Sequence, residues 1–331
     1  MMNKFQDIHA FAIFAMVIVI QLETYYGHSG LKGYKPVVTV GMFDGVHRGH
    51  RVLIDHLREK ANSIGGESVV ITLEPHPRLV LSENQSSIRF LTSLEEKEKL
   101  LGRAGIDKLY VIPFSRSFSR LPACDFVKNY LVERLRIEHL ILGFDHHFGY
   151  RGYGNKETIT ECANKYGFGV DRMDALREGD EIISSSSIRN YLSSGRLDEA
   201  NKLLGYRYTV SGSVVRGKRI GRLLGYPTAN IVPGYKYKLI PADGVYAVKV
   251  SLDSQVYNAM LYIGPRPTIE KEKGKRTIEV NIFEFNSDIY NKELRVEFHY
   301  MLRPDMRFSS RHDLMKQIEK DKAESLRLLG E

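Results

Sequence analysis

Cysteine is scarce in this chain: Cys124 and Cys162 are the only two among 331 residues. Two thiols cannot build a disulfide framework, and they lack metal-ligand spacing, so the pattern fits a reducing cytosol. A long apolar run is also missing. The most apolar stretch, "AFAIFAMVIVI" at residues 10–20, is far short of the roughly 20 residues that span a bilayer. It has the length of a signal-peptide core, yet "MMNKFQDIHA" before it carries almost no net positive charge and no small-x-small cleavage site follows. The bland expectation is a buried first strand, "MVIVIQL", preceded by a dispensable extension over residues 1–15. No internal repeat is present, and Ser184–Ser187 is the one low-complexity run. A P-loop is absent too: in "GYRGYGNKE" Gly149 and Gly154 have the right separation, but Asn155 occupies the lysine position.

What is there begins with charge. A net +8 points to an anionic partner without choosing among nucleotide, nucleic acid and membrane surface. The length allows two domains. The first half alternates strand-like and helix-like patterns: "VVTVG", "RVLIDHLREKANS", "SVVITL", "SLEEKEKLLGRAG", "KLYVIPF", "CDFVKNYLVERL" and "HLILGF". Strands separated by helices of this length predict a doubly wound parallel sheet, with ligands beyond the carboxyl ends of its strands. From Tyr206 the runs turn short, alternating and rich in β-branched and aromatic residues, as in "GVYAVKVSL" and "RTIEVNIFEF". That predicts an antiparallel barrel or sandwich. A helical stretch broken at Gly195 joins the halves, and a last helix, "SRHDLMKQIEKDKAESLRLLG", closes the chain.

Four segments carry chemistry. In "VVTVGMFDGVHRGH" (37–50) a strand runs into a loop with Gly41, Gly45 and Gly49, then into a helix. Glycines let backbone approach a ligand, and the helix N-terminus attracts an anion. His47 and His50, three apart, share a helix face and can donate to phosphate oxygens, stabilising charge on a departing pyrophosphate without transferring protons. Asp44 can orient a histidine or hold the loop; a metal pair and a surface coincidence are the competing readings. In "ISSSSIR" (183–189), Ser185, Ser186 and Arg189 can donate to phosphate, although serine runs are commonly linkers. In "RGKRIGRLLGYPTAN" (216–230), glycines and basic residues suit a phosphate cradle, with Thr228 and Asn230 as hard oxygen ligands for Mg²⁺; a solvated turn has the same composition. On "TIEVNIF", Glu279 shares a face with Thr277 and Asn281, opposite Ile278, Val280 and Ile282.

Taken together with "TLEPHP" (72–77), "GFDHHFGYRGYGN" (143–155), "GVYAV" (244–248) and "IGPRPT" (263–268), in this order, the chain resembles the prokaryotic bifunctional riboflavin kinase/FAD synthetases. The resemblance runs from about Val17 to Ser325. It implies an α/β nucleotidyltransferase-type doubly wound parallel sheet followed by an antiparallel β-barrel kinase domain. It also implies two reactions: ATP phosphorylates riboflavin to FMN, and a second ATP adenylylates FMN to FAD. The expected division is an extension (1–15), an FMN adenylyltransferase domain (16–190), a linker helix (191–203) and a riboflavin kinase domain (204–331). Carried over residue by residue, the family implies catalytic roles for Glu279 as the kinase base and for His47 and His50. Nucleotide and phosphate contacts are implied for Gly41, Phe43, Asp44, Gly45, Gly49, Asp145, Ser185, Ser186, Arg189, Gly217, Arg222, Gly225, Thr228 and Asn230, the last two also holding Mg²⁺. Flavin contacts are implied for His76, Asn281, Arg303 and Phe308. Ser186 stands where the family usually has threonine, and Tyr262 where asparagine is common. The expected partners are small molecules in the cytoplasm, with neither nucleic acid nor membrane; the oligomeric state is open. The alternatives are a chain that keeps one activity, or a flavin-responsive regulator that binds RNA through its basic surface.

Overall fold

The computed structural model describes residues 22–27, 33–144, 156–217, 221, 225–265 and 276–330. The expected strand at 16–22 therefore lies almost wholly outside the described residues, as does the 1–15 extension. The first described strand is β1 (Glu23–Tyr26). After it come β2 (Pro36–Val40), α1 (Arg48–Ser63), β3 (Glu67–Glu74), α2 (Pro77–Leu81), α3 (Leu94–Arg103), β4 (Lys108–Pro113), α4 (Ala123–Phe126), β5 (His139–Leu142), α5 (Lys156–Tyr166) and β6 (Gly169–Arg172). The six strands form one parallel sheet in the order β1-β4-β3-β2-β5-β6.

Every residue of β2 is buried, which is why "PVVTV" reads as a continuous apolar run: a parallel sheet is covered on both faces. Alternate residues serve the two faces. Val37, Val70, Leu109 and Ile141 pack with Ile54 and Leu57 of α1 and Leu101 of α3. Val38, Val69, Ile71 and Leu140 pack with Phe126 of α4 and Ile159 of α5. The "CDFVKNYLVERL" stretch is helical, but beyond Phe126 it widens into a π-turn over Val127–Val132. From β2 the chain steps outward through β3 and β4 on one side and reaches β5 and β6 on the other. The strand order thus reverses between β2 and β5, where open α/β sheets place their ligand crevice. The histidine loop leaves β2 at that point.

A small hairpin, β7 (Arg177–Glu178) and β8 (Glu181–Ile182), leads to α6 (Ser185–Ser193) and α7 (Leu197–Leu204). They are separated at Gly195, whose φ of 78° no side-chain-bearing residue adopts easily. Six antiparallel strands follow: β9 (Thr209–Val215), β10 (Ala229–Pro233), β11 (Gly244–Leu252), β12 (Gln255–Pro265), β13 (Arg276–Ile282) and β14 (Glu293–Pro304). They close as β10-β13-β12-β11-β14-β9, so the choice between barrel and sandwich falls to the barrel. Val248, Leu261, Ile278 and Val280 fill its interior, and Ile188, Leu192, Leu197 and Leu203 from α6 and α7 belong to the same core. The last helix, α8 (Arg311–Leu329), packs outside against β11, β12 and β14. Among the described residues no helix is long and apolar enough to cross a membrane.

Candidate active sites

The loop after β2 is built on unusual backbone. Gly45 has φ 83°, and a Cβ there would lie 2.7 Å from Leu91, so only glycine fits. Phe43 and Val46 also have positive φ, 48° and 37°; for a β-branched residue that is a genuine outlier. The turn ends at His47, the N-cap of α1, whose Nδ1 accepts the His50 N–H at 3.3 Å. The acceptor role leaves the His47 proton on Nε2. The two imidazoles stack, with centroids 3.7 Å apart and planes 17° from parallel, and Phe43 lies 5.0 Å from the His50 ring. Burial, reinforced by the nearby Arg189 guanidinium, lowers the His47 pKa to about 4. Burial, with His47 and Lys97 beside it, holds His50 well below its ordinary value. At neutral pH both rings are uncharged hydrogen-bonding groups rather than cations.

Asp44 holds the loop. Its Oδ1 accepts from the Leu91 and Thr92 backbone N–H groups at 2.8 and 3.0 Å, and its Oδ2 accepts from Arg189 Nη1 at 2.7 Å. Burial pushes this carboxyl upward, opposed by the Arg189 charge. Arg189 spends its other nitrogen on Ser186 Oγ at 3.1 Å, and Ser185 Oγ donates to the Asp44 carbonyl at 2.9 Å. The serine run is therefore no linker: Ser184 caps α6 by accepting the Ser187 N–H, and the run lies against the histidine loop. Two helix N-termini, of α1 and α6, meet there. They border a cavity of about 610 Å³ whose walls include Gly41, Phe43, Asp44, His47, Gly49, His50 and Ser185. Its far side is apolar, formed by Leu73, Leu81, Phe114, Phe118, Leu121 and Phe126, a surface suited to a flat hydrophobic ring.

His76 is the N-cap of α2. Its Nδ1 accepts the Arg78 N–H, and its ring stacks on Phe90 at 4.3 Å, beside the cavity wall at Pro77. Asp145 lies outside the described residues.

The second cluster sits on the outer wall of the barrel. Asn230 of β10 pairs with Glu279 of β13, Glu279 with Tyr262 of β12, Tyr262 with Val245 of β11, and Val245 with Arg303 of β14. Directly paired residues point to the same face, so these side chains form one row outside the barrel. Thr228 Oγ1 donates to Glu279 Oε2 at 3.2 Å, and Thr277 Oγ1 lies 3.3 Å from Asn230 Oδ1 and 3.4 Å from Glu279 Oε1. Gly217 packs against this row: a Cβ on it would lie 2.2 Å from Asn230 Nδ2. Gly225, at φ 82°, makes the turn into "YPTAN". Arg222 is outside the described residues. The result is a compact set of hydroxyl, amide and carboxylate oxygens beside Gly217.

The expected flavin contacts separate. Asn281 is buried and donates to the Pro227 carbonyl at 2.7 Å, so it holds the loop that carries Thr228. Arg303, three strands from Glu279 and so about 14 Å away, is locked to buried Asp321 of α8 by Nε and Nη2 contacts of 3.0 and 2.9 Å. Its guanidinium carbon lies 5.5 Å from the Phe308 ring.

Each half of the chain matches one family model: FAD synthetase over residues 32–187 and riboflavin kinase over 204–329. A Listeria monocytogenes protein named bifunctional riboflavin kinase/FMN adenylyltransferase is 38% identical over 289 residues, covering 87% of this chain and 91% of its own. This chain belongs to the bifunctional riboflavin kinase/FMN adenylyltransferase family. A Bacillus subtilis family member of the same name is 36% identical, over 88% and 92% of the two chains. A crystal structure described as a macrolide-efflux protein from Streptococcus pneumoniae has the same architecture, with a TM-score of 0.81 at 31% identity, covering 91% of this chain and 97% of that one.

Several residues beside the two clusters escaped the sequence reading. Lys97 sits in the charged helix "LEEKEKLLGR", yet it is buried and donates to Thr72 Oγ1 at 3.1 Å. Burial lowers its pKa, while Asp44 and Glu74 oppose the shift. Thr39 Oγ1 and His50 Nδ1 are buried and have no hydrogen-bond partner among the described residues. Leu91 acts through its backbone, which leaves no side-chain signature, and Thr92 through both its backbone N–H and its hydroxyl. Thr277 stood beside Glu279 on the predicted face and could have been found there.

Proposed function

We propose that this chain carries out two consecutive ATP-dependent reactions, phosphorylation of riboflavin to FMN and adenylylation of FMN to FAD with release of pyrophosphate. What supports this most directly is that two separate phosphate-handling clusters lie in different halves of the chain, each within the region that matches one of the two activities. In the kinase half, Glu279 accepts the proton of the riboflavin 5′-hydroxyl as its oxygen attacks the γ-phosphorus of ATP in line. Gly217, packed against Asn230, leaves room beside the row for the phosphates. Thr228 and Asn230, with the phosphates themselves, would hold Mg²⁺. Their all-oxygen donor set fits that ion, which when bound neutralises charge on the transferring group. Tyr262, Arg303 and Phe308 border the flavin end of the row.

In the sheet half, a phosphate oxygen of FMN attacks the α-phosphorus of ATP, and the bond to pyrophosphate breaks. His47, through Nε2–H, and His50 donate to the phosphate oxygens that gain charge, aided by the N-termini of α1 and α6. Neutral imidazoles suit this work, since they donate without moving a proton. Ser185, Ser186 and Arg189 close on the triphosphate, and the apolar wall from Leu73 to Phe126 receives the isoalloxazine. The substrates are small molecules, and their ATP supply assigns the enzyme to the cytoplasm.

Chromatography of products formed from riboflavin, ATP and Mg²⁺ tests the reading: FMN should appear first and FAD later. Glu279→Gln should abolish FMN formation while FMN-to-FAD conversion stays within about twofold of the parent. Full kinase activity in that variant would exclude Glu279 as the base, and no phosphorylated flavin from the parent chain would overturn the reading.

A further inference from the structure

We propose that the barrel half of the chain is a working part of the adenylyl-transfer site, with Lys238 and Tyr206 as positioning residues for the histidine loop. The inference rests on the reading that adenylyl transfer occurs at that loop.

The loop cannot keep its shape unaided. Phe43 and Val46 both sit at positive φ, each costing on the order of 1–2 kcal/mol, and such backbone persists where its surroundings over-determine it. Those surroundings are specific. The Asp44 carboxylate is gripped by the N–H groups of Leu91 and Thr92, and Thr92 Oγ1 accepts the Gly45 N–H at 3.0 Å. Segment 90–92 is therefore the anvil on which the loop is bent.

That anvil is in turn held from the other half of the chain. Lys238, 4% exposed, donates from Nζ to the Leu91 carbonyl at 2.6 Å and to Glu96 Oε2 at 2.7 Å. The same residue, Leu91, thus passes the grip on: its carbonyl is held by Lys238 while its N–H holds Asp44. Around it, Phe90 N–H donates to the Tyr237 carbonyl and the Leu239 N–H to the Phe90 carbonyl, both at 2.8 Å. Tyr206 makes a second, independent contact, its hydroxyl donating to the Gly45 carbonyl at 2.6 Å. Four residues in the region that matches riboflavin kinase, Tyr206, Tyr237, Lys238 and Leu239, therefore reach the backbone within or beneath the adenylylation loop. A buried ammonium is a costly way to fill space, and apolar replacements of buried ion pairs are often neutral or stabilising; this one is aimed at one carbonyl behind one loop.

The bifunctional chain supplies its own control. Lys238→Met and Tyr206→Phe are compared with the parent for kcat and KM in FMN adenylylation and in riboflavin phosphorylation, at a temperature below the melting transition of each. The expected result is an adenylylation kcat lowered by about tenfold or more in Lys238→Met and several-fold in Tyr206→Phe, as loss of preorganisation predicts, with riboflavin phosphorylation within about twofold of the parent. Tyr206→Phe removes a single hydroxyl and leaves no buried charge, so it carries the test if Lys238→Met fails to fold. An adenylylation kcat within about twofold of the parent in the folded variants, or an equal fall of both reactions, would overturn the proposal. A parent chain that makes FMN but no FAD would instead sink the reading on which it rests.

Discussion

Replacing His47 by asparagine should flatten the acid dependence of stability by an amount the structure sets. The unfolded histidine titrates near its ordinary 6.5, whereas burial lowers it to about 4 in the folded chain. Between those values the unfolded state binds a proton that the folded state refuses, so the depressed pKa makes stability fall as pH falls. The full loss, reached below the folded pKa, is about 3 kcal/mol, and the share lost between pH 7 and pH 5 is about 2 kcal/mol. His47 is 5% exposed, so solvent screening takes little from that figure. Asparagine can still cap α1 by accepting the His50 N–H, which makes titration the main difference between the two chains. Urea unfolding followed by far-UV circular dichroism, run at both pH values, measures it. The parent should lose about 2 kcal/mol more than His47→Asn on acidification. Equal losses would show that His47 is not held neutral by burial, and the description of the pair as uncharged donors would fall with it.

Other expectations follow from the same geometry. The His47→Ala/His50→Ala double variant should lower FMN adenylylation by about 10²-fold and leave riboflavin phosphorylation near the parent rate, as loss of a transition-state charge stabiliser predicts; coupled product assays on one preparation check both. Asp321→Ala should lower stability by about 3 kcal/mol, because it strands the Arg303 guanidinium in a largely buried pair; thermal unfolding reports it. A fragment starting at Ser185 should fold and phosphorylate riboflavin, whereas one starting at Leu204 should melt lower. The shorter fragment exposes core that Ile188, Leu192, Leu197 and Leu203 cover, at about 2 kcal/mol for each side chain.

Much of this protein is legible from local pattern. Period-two alternation in "TIEVNIF" separates Ile278, Val280 and Ile282 inside the barrel from Glu279 outside it. The i, i+3 spacing of His47 and His50 becomes a stacked pair at a helix N-terminus, and the break at Gly195 falls between two helices. Such features depend on neighbours within a turn or a strand, so spacing alone carries them. Other features needed the closed fold. Asp44 is 47 residues from the Leu91 amide it accepts from and 145 from Arg189, and a contact across that distance leaves no periodicity. Lys97 and Lys238 lie in the charged and polar runs "EEKEK" and "YKYK", which carry no local sign of burial; packing of α3 on the sheet buries the first, and the Leu91–Glu96 stretch covers the second. Nothing near Arg303 in the sequence announces that α8 sets Asp321 beside it. Whether a side chain meets solvent, substrate or another part of the chain depends on which distant segments the sheet and barrel bring together, and only the tertiary structure decides that.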